Sequence, residues 1–353
     1  MDTFIYETLP SRVVFGEGKL ETLSQELEKL GAKRALVLST PNQADIAQAL
    51  ADSLGQRSAG LFSQAAMHTP VNVTEEAVRV AQRLNADALV SFGGGSTIGL
   101  GKAIALRTAL PQVAIPTTYA GSEMTSILGQ TENGIKTTLR HPLVQPKVVI
   151  YDVSLTLSLS ATVSATSGLN AMAHAVEALY AQDRNPVISL IAEDGIRALA
   201  GALPGIAKDP QNRQARSQAQ YGAWLCGICL GSAGMALHHK LCHVLGGSFN
   251  LPHAETHAVM LAHTAAYNAP NTQNAMTRAA KALDTDDVGA ALWQLAKRIG
   301  APTALKDLGM VEADIDKATD IALKNPYWNP RPLTETGIRE LIRRAWAGDP
   351  PKA

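Results

Sequence analysis

Along the first 150 residues, short runs of β-branched and apolar residues alternate with stretches whose apolar positions recur every three or four residues. The runs are ALVLST at 35–40, ADALVSFGG at 86–94, QVAIPTT at 112–118 and KVVIYD at 147–152. Strands separated by helical stretches cannot pair as hairpins, so this order predicts parallel strands joined by crossover helices. After Ser154 the strand pattern stops. SGLNAMAHAVEALYAQ at 167–182 and GAALWQLAKRIG at 289–300 carry helical spacing instead. The chain is therefore expected to divide near residues 150–160 into an α/β half, 1–155, and an all-α half, 156–353. A ligand is expected between the halves, beyond the carboxyl ends of the strands.

Composition narrows the function classes. Lys plus Arg and Asp plus Glu both total 31 in 353 residues, which leaves no net field to hold a polyanion or an anionic membrane. A small-molecule ligand fits better. Three cysteines, Cys226, Cys229 and Cys242, make no disulfide framework and suit a reducing compartment. The start, MDTFIYETLP, has no basic segment followed by an apolar run, so no signal peptide is expected and the protein is placed in the cytoplasm. The uncharged stretch from Tyr221 to Leu237 is shorter than the ~20 apolar residues of a bilayer span and reads as a buried core helix. Cys226 and Cys229, inside it, read as structural.

Candidate chemistry begins at a glycine turn. The run ADALVSF leads into Gly93, Gly94, Gly95 and Ser96 and then into a helical stretch. That order lets backbone amides and the positive end of a helix dipole face a phosphate. It matches neither the GxGxxG nor the Walker spacing. Pro116, Thr117 and Thr118 end the next run and are followed by Gly121, Ser122 and Thr125, so two neighbouring strand ends line one nucleotide groove. The first run ends in Ser39 and Thr40 with no carboxylate to repel a 2′-phosphate, so Thr40 leaves NADH and NADPH both admissible. Gly99 and Gly101, inside the predicted helix, signal either close packing or room for a ligand.

Six of the nine histidines fall between His238 and His263, where an even spread would put fewer than one. His239 and His243 are four apart and share a helix face, and His253 follows a predicted loop, GGSFNLP. Asn170 and His174 share the face of another helix by the same spacing. Four imidazoles from three places are thereby expected to converge. His238, His257 and His263 read as packing or surface residues.

The GGGS turn, the PTT…GSE segment, the NAMAHAVEA helix, the His239/His243/His253 spacing and the late NPR at 329–331 together resemble the iron-containing alcohol dehydrogenase family along nearly the whole chain. The resemblance implies a Rossmann-like nucleotide-binding domain followed by a helical domain, the dehydroquinate synthase-like architecture, with NAD(P)H in the cleft and a homodimer. It also implies that Lys147 contacts the cofactor ribose. Metal-dependent members bind an ion through an Asp and three His, and the matching positions here are Asn170, His174, His239 and His253.

Three departures stand out: Asn170 for the aspartate, Gly99 where the family's dehydrogenases usually carry Asp, and a PTTYAGSE segment one residue short. They resemble a branch whose members reduce the carbon–carbon double bond of maleylacetate with NAD(P)H and require no metal. An amide in place of the one anionic ligand would leave a divalent ion with its full charge in a desolvated site. Hydride delivered to an alkene conjugated with a ketone puts charge on oxygen as an enolate, a weaker base than the alkoxide for which a Lewis acid is useful. The resemblance then implies His243 and His253 as proton donor and oxyanion stabiliser, His239 and His174 completing a positive pocket, Asn170 orienting the substrate, and no metal. A dicarboxylate needs cationic partners, for which Lys240, Arg140, Lys324 and Arg331 are unassigned candidates. The alternatives are a metal-dependent alcohol dehydrogenase of the same family, a lyase resembling dehydroquinate synthase, and a silent nucleotide sensor. FIYETLPSRVVFGEG at 4–18 is a candidate contributor to the dimer.

Overall fold

The computed structural model describes Phe4, Tyr6 and residues 11–324 and 327–353. Much of the N-terminal segment expected to contribute to a dimer lies outside the described residues. The described chain divides after Ser158 into two compact units.

In chain order the first unit comprises β1 (Arg12–Gly16), α1 (Leu23–Lys29), β2 (Ala35–Leu38), α2 (Ala44–Ser53), β3 (Ser58–Phe62) and α3 (Val71–Arg83). There follow β4 (Ala88–Gly93), α4 (Gly95–Thr108), β5 (Gln112–Pro116), β6 (Ile127–Glu132), β7 (Ile135–Arg140) and β8 (Val148–Asp152). Six strands form a parallel sheet in the order β1-β8-β5-β4-β2-β3. β2, β4, β5 and β8 are buried along their length, as their unbroken apolar runs require. From β2 the chain steps outward to β3, then crosses back to β4 and continues the other way to β5. The winding thus reverses between β2 and β4, the point at which open α/β sheets leave a crevice.

The strands absent from the sequence reading carry weak signals. β1 is half-buried throughout and β3 is interrupted by Gly60 at φ +133°. β6 and β7 form an antiparallel hairpin closed by Asn133 and Gly134, both at positive φ, the Asn-Gly pair that a two-residue hairpin turn demands.

The second unit is helical: α5 (Ala161–Tyr180), α6 (Pro186–Lys208), α7 (Arg213–Ser232), α8 (Leu237–Phe249), α9 (His253–Asn268), α10 (Gln273–Leu283), α11 (Val288–Arg298), α12 (Asp314–Lys324) and α13 (Glu335–Ala347). α5 is buried on all sides from Ser164 onward and packs against α6, α7 and α9. Side chains stop and start these helices. Ser160, Asn185 and Asn212 each accept the backbone N–H three residues on, and Pro186 fills the first position of α6, where an N–H would be unpaired. The buried Arg216 joins α7 to the chain before α5, donating to Ser164 Oγ (2.6 Å) and the Leu159 carbonyl (2.7 Å).

Two expectations need correction here. The uncharged stretch from Tyr221 to Leu237 is not one helix: α7 stops at Ser232 and α8 starts at Leu237. GGSFNLP is not a loop either, because α8 runs through both glycines to Phe249 and turns at Asn250, φ +55°. Cys226 and Cys229 are buried, and burial pushes both thiols up, away from a reactive thiolate.

Gly101 faces the sheet so closely that an added methyl would collide with Ser91 Oγ and Gln112 Nε2, which hydrogen-bond to each other (2.8 Å). Gly101→Ala should therefore destabilise the protein by about 1–3 kcal/mol. A urea melt should show a lower midpoint at unchanged slope.

Candidate functional site

The glycine turn lies at the winding reversal of the first unit. β4 ends at Gly93, whose φ of +151° excludes other residues, and α4 begins at Gly95. A Cβ on Gly93 would fall 2.5 Å from Thr97 Oγ1, and one on Gly94 would fall 3.1 Å from Thr118 Oγ1. The Thr117 N–H donates to the Gly93 carbonyl (3.1 Å), and Gln43 Nε2 donates to Thr117 Oγ1 (3.3 Å). Gly93, Gly94, Gly95, Ser96, Thr117 and Thr118 are thus brought together, and Thr40 stands at the same edge, at the end of β2. The turn is packed by the small side chains of Thr97 and Thr118, and the start of α4 follows it directly, the place at which a helix N-terminus can receive a phosphate.

Other expected cofactor residues lie elsewhere in the unit. Lys147 precedes β8 at the amino edge of the sheet, its N–H donating to the Gln112 carbonyl (2.9 Å). That is four residues, about 13 Å, before the edge where the glycine turn sits. Its lysine cannot join the turn from there. Thr125 is buried, and its carbonyl and hydroxyl both accept from Lys102 Nζ at 2.8 Å. Lys102, unnoticed in the sequence, also donates to the carbonyls of Ser122 and Ile127 and so ties down the segment from Ser122 to Ile127. Burial pulls its pKa down to about 7 although Glu123 lies near. Gly99 has its space filled: a Cβ would lie 2.5 Å from Thr69 Oγ1, so no carboxylate fits without displacing Thr69.

In the helical unit, α5 presents Asn170, His174 and Glu177 at intervals of four and three, one face of a helix. α8 brings His238, His239 and His243, and α9 brings His253 and His257. His174 and His239 stack with ring centres 5.1 Å apart, and His243 lies 6.3 Å from His239. His257 lies 5.0 Å from His239, 4.8 Å from His238 and 4.4 Å from His253. The expected four imidazoles do gather, joined through His257, which the sequence reading set aside with His238. His243 and His253 are exposed in this unit, whereas Asn170, His174, His238, His239 and His257 are buried.

Glu177 organises the floor. Its carboxylate, fully buried, accepts the N–H of Ala236 (3.2 Å), His238 (2.9 Å) and His239 (3.4 Å), and so caps the start of α8 from another helix. It also accepts from His239 Nδ1 at 2.6 Å. That bond occupies Nδ1 and leaves Nε2, which is buried and has no partner. Asn170 Oδ1 and His174 Nδ1 are likewise buried without partners. Burial, reinforced by neighbouring imidazoles, holds His174, His238 and His257 well below the usual histidine pKa. Burial thus disfavours a charge on His174, His238 and His257.

The candidate cations are mostly committed. Arg331 donates to the Tyr267 carbonyl (2.7 Å) and lies over its ring, while Asn329 and Asn268 exchange hydrogen bonds (3.1 and 2.8 Å). The NPR segment is thus a clamp on the end of α9. Lys240 Nζ sits 5.4 Å from the Tyr327 ring centre.

A resident divalent ion does not fit the residues matched to the family's ligands. Ligands about 2.1 Å from one ion cannot be more than about 4.2 Å apart. Among the described residues, only His238, Cys242 and His257 place three His, Cys or acidic donor atoms within 4.8 Å of one another. His174, His239 and His253 do not, and Asn170 brings no charge. The His238, Cys242 and His257 trio is itself closed by a 2.9 Å hydrogen bond between the two imidazoles.

Glu177→Gln would turn an amide NH2 toward backbone donors. It should lower kcat ten- to a hundredfold, the worth of a charged hydrogen bond of about 1.5–3 kcal/mol, and leave the NADH KM unchanged in steady-state kinetics. Stability should depend on pH in one direction. A histidine held neutral in the folded chain takes up its proton first in the unfolded chain, so stability is full above pH ~6.5 and falls with acidification. His263, pulled down to about 4 by burial, extends that loss to about pH 4. Thermal melts should show Tm decreasing steadily through this window.

Comparison with known proteins agrees with the fold. The iron-containing alcohol dehydrogenase family model matches residues 10–153, and the Fe-containing alcohol dehydrogenase C-terminal model matches 164–346. A maleylacetate reductase of Rhizobium sp. (strain MTP-10005) is 56% identical over all of both chains, and one of Sphingobium indicum is 55% identical over 99% of each. The crystal structure of maleylacetate reductase from Agrobacterium tumefaciens superposes with a TM-score of 0.97 at 55% identity, covering 99% of this chain and 100% of that one. With both units matched and identity above one half from end to end, the chain belongs to the iron-containing alcohol dehydrogenase family.

Proposed function

We propose that the protein is an NAD(P)H-dependent maleylacetate reductase, an oxidoreductase that saturates the carbon–carbon double bond of maleylacetate to give 3-oxoadipate. The observation that carries this reading is the buried histidine floor around Asn170, held by Glu177, in a chain more than half identical to maleylacetate reductases. When bound at the glycine turn, the reduced nicotinamide supplies a hydride. The hydride adds to the alkene carbon distal to the ketone, and the π electrons move onto the ketone oxygen as an enolate. His243 and His253, the two exposed imidazoles, donate to that oxygen and return a proton to the carbon beside the carbonyl. His239, oriented by Glu177, and His174 pack beneath them and keep bulk water from the floor. The Asn170 amide orients the substrate.

No step needs a metal, because an enolate asks less stabilisation than an alkoxide and the imidazoles supply it. NADH and NADPH are both accommodated, since the β2 edge at Thr40 carries no acidic residue. The reading also makes the protein a cytoplasmic homodimer. Its three unpaired, buried cysteines suit a reducing compartment, and none of the described helices is long and apolar enough to cross a membrane.

The test is NADH consumption by chelator-treated protein, with maleylacetate set beside simple aldehydes. Rapid oxidation with maleylacetate alone is expected, and activity lost on chelation and restored by iron or zinc would overturn the metal-free reading. His243→Ala and His253→Ala should each lower kcat by about 10²–10⁴.

A further inference from the structure

The buried histidines of α8 and α9 form a chain in which each hydrogen bond has only one workable direction. His238 Nδ1 faces Thr264 Oγ1 at 3.0 Å, and that hydroxyl spends its own proton on the helix carbonyls of Met260 (3.0 Å) and Leu261 (3.2 Å). Oγ1 is thus an acceptor toward the ring, and the Met260 carbonyl, also beside His238, can only accept. The proton of His238 therefore sits on Nδ1. At 2.9 Å, His238 Nε2 and His257 Nδ1 cannot both present lone pairs, so a proton lies between them. Both rings are sealed from solvent, where an imidazolium with no carboxylate against it is disfavoured. His238 then keeps its single proton on Nδ1, the shared proton belongs to His257 Nδ1, and His257 Nε2 is left bare, buried and without a partner.

We infer that His257 is a positioning residue of the histidine site, its Nε2 lone pair fixed by Thr264 and His238 so as to accept an N–H from the adjoining His253 ring and set that ring's orientation toward the substrate. The two rings are already 4.4 Å apart and tilted by 58°. His253 is the first residue of α9 and exposed. His257 is one turn further along the same helix and locked. An exposed ring that must meet a developing oxyanion is thus braced by a buried one. His239 obeys the same logic with Glu177 in place of His238, so the floor carries two imidazoles whose protons both point away from the site.

The kinetic part of this inference rests on the maleylacetate reading, so the test has one arm that does not. Nitrogen-15 NMR of the histidine side chains in the full-length protein, without substrate, separates protonated from bare ring nitrogens. His238 and His257 should both be protonated at Nδ1 and bare at Nε2; a proton on His257 Nε2 would overturn the inference whatever the substrate. In the second arm, His257→Asn keeps the bond toward His238 but removes the acceptor at the Nε2 position, whereas His257→Gln reaches that position with an amide oxygen. His257→Asn should lower kcat with maleylacetate about tenfold at unchanged NADH KM, and His257→Gln should recover part of the loss. Wild-type kcat in His257→Asn, or His257→Gln no better than His257→Asn with both folded by thermal melt, would refute it. If the wild-type protein failed to reduce maleylacetate, the proposed function would fall while the NMR arm still decided where the protons lie.

Discussion

One carboxylate holds the helical site together. Glu177 reaches from the middle of α5 to the first turn of α8, collects three backbone N–H groups there and takes a fourth bond from His239. A fully buried carboxylate is tolerable only with several donors and a favourable field, and the N-terminus of a helix supplies both. The dependence runs both ways. α8 can break from α7 and start in the protein interior because its unpaired amides meet Glu177, and the Glu177 carboxyl oxygens find their donors there because α8 begins against them. His239 inherits its position and its tautomer from this arrangement, and His174 stacks on His239. Removing the charge would therefore loosen a helix start and an imidazole pair together.

The nucleotide half follows from a different constraint, the direction of winding. With the six strands of the main sheet all parallel, the carboxyl ends of β2, β4 and β5 lie on one edge, and the reversal between β2 and β4 opens that edge. Glycine is needed at the turn for two separate reasons, positive φ at Gly93 and contact with Thr118 at Gly94. Lys102 completes the edge from beneath: its Nζ gathers oxygens from Ser122, Thr125 and Ile127, so the segment after β5 is fixed by buried hydrogen bonds and not by apolar packing. Thr125 serves that anchor.

What could be read from the sequence was whatever depended on spacing within one element. Asn170 with His174 and His239 with His243 were legible as pairs four apart, and so was the run from β4 through the glycines to α4. The same rule applied from His253 would have found His257, and applied from Asn170 through seven residues it would have found Glu177. Both were passed over because a histidine on an apolar helix and a glutamate in an alanine-rich one are most often unremarkable. The place of Lys147 relative to the turn was not legible from spacing: a residue at the start of a parallel strand lies at the opposite edge from a residue at the end of its neighbour. The breaks at 233–236 and the continuation of α8 through Gly246 and Gly247 were hidden because tertiary partners, Glu177 above all, override local propensity.

The change at residue 170 then has a wider consequence than a lost ligand. A carboxylate there would face His174 and His239 and favour either a cation between them or a proton on one of them, and both would turn the bare nitrogens of the floor into committed ones. The amide does neither. It leaves a cluster of neutral acceptors whose protons are already fixed from behind, by Glu177 for His239 and by His238 for His257. On the proposed reading, proton delivery falls to the exposed His243 and His253 and geometry to the buried floor, a division that suits a reaction whose intermediate charge is modest and whose proton must arrive at carbon from one side.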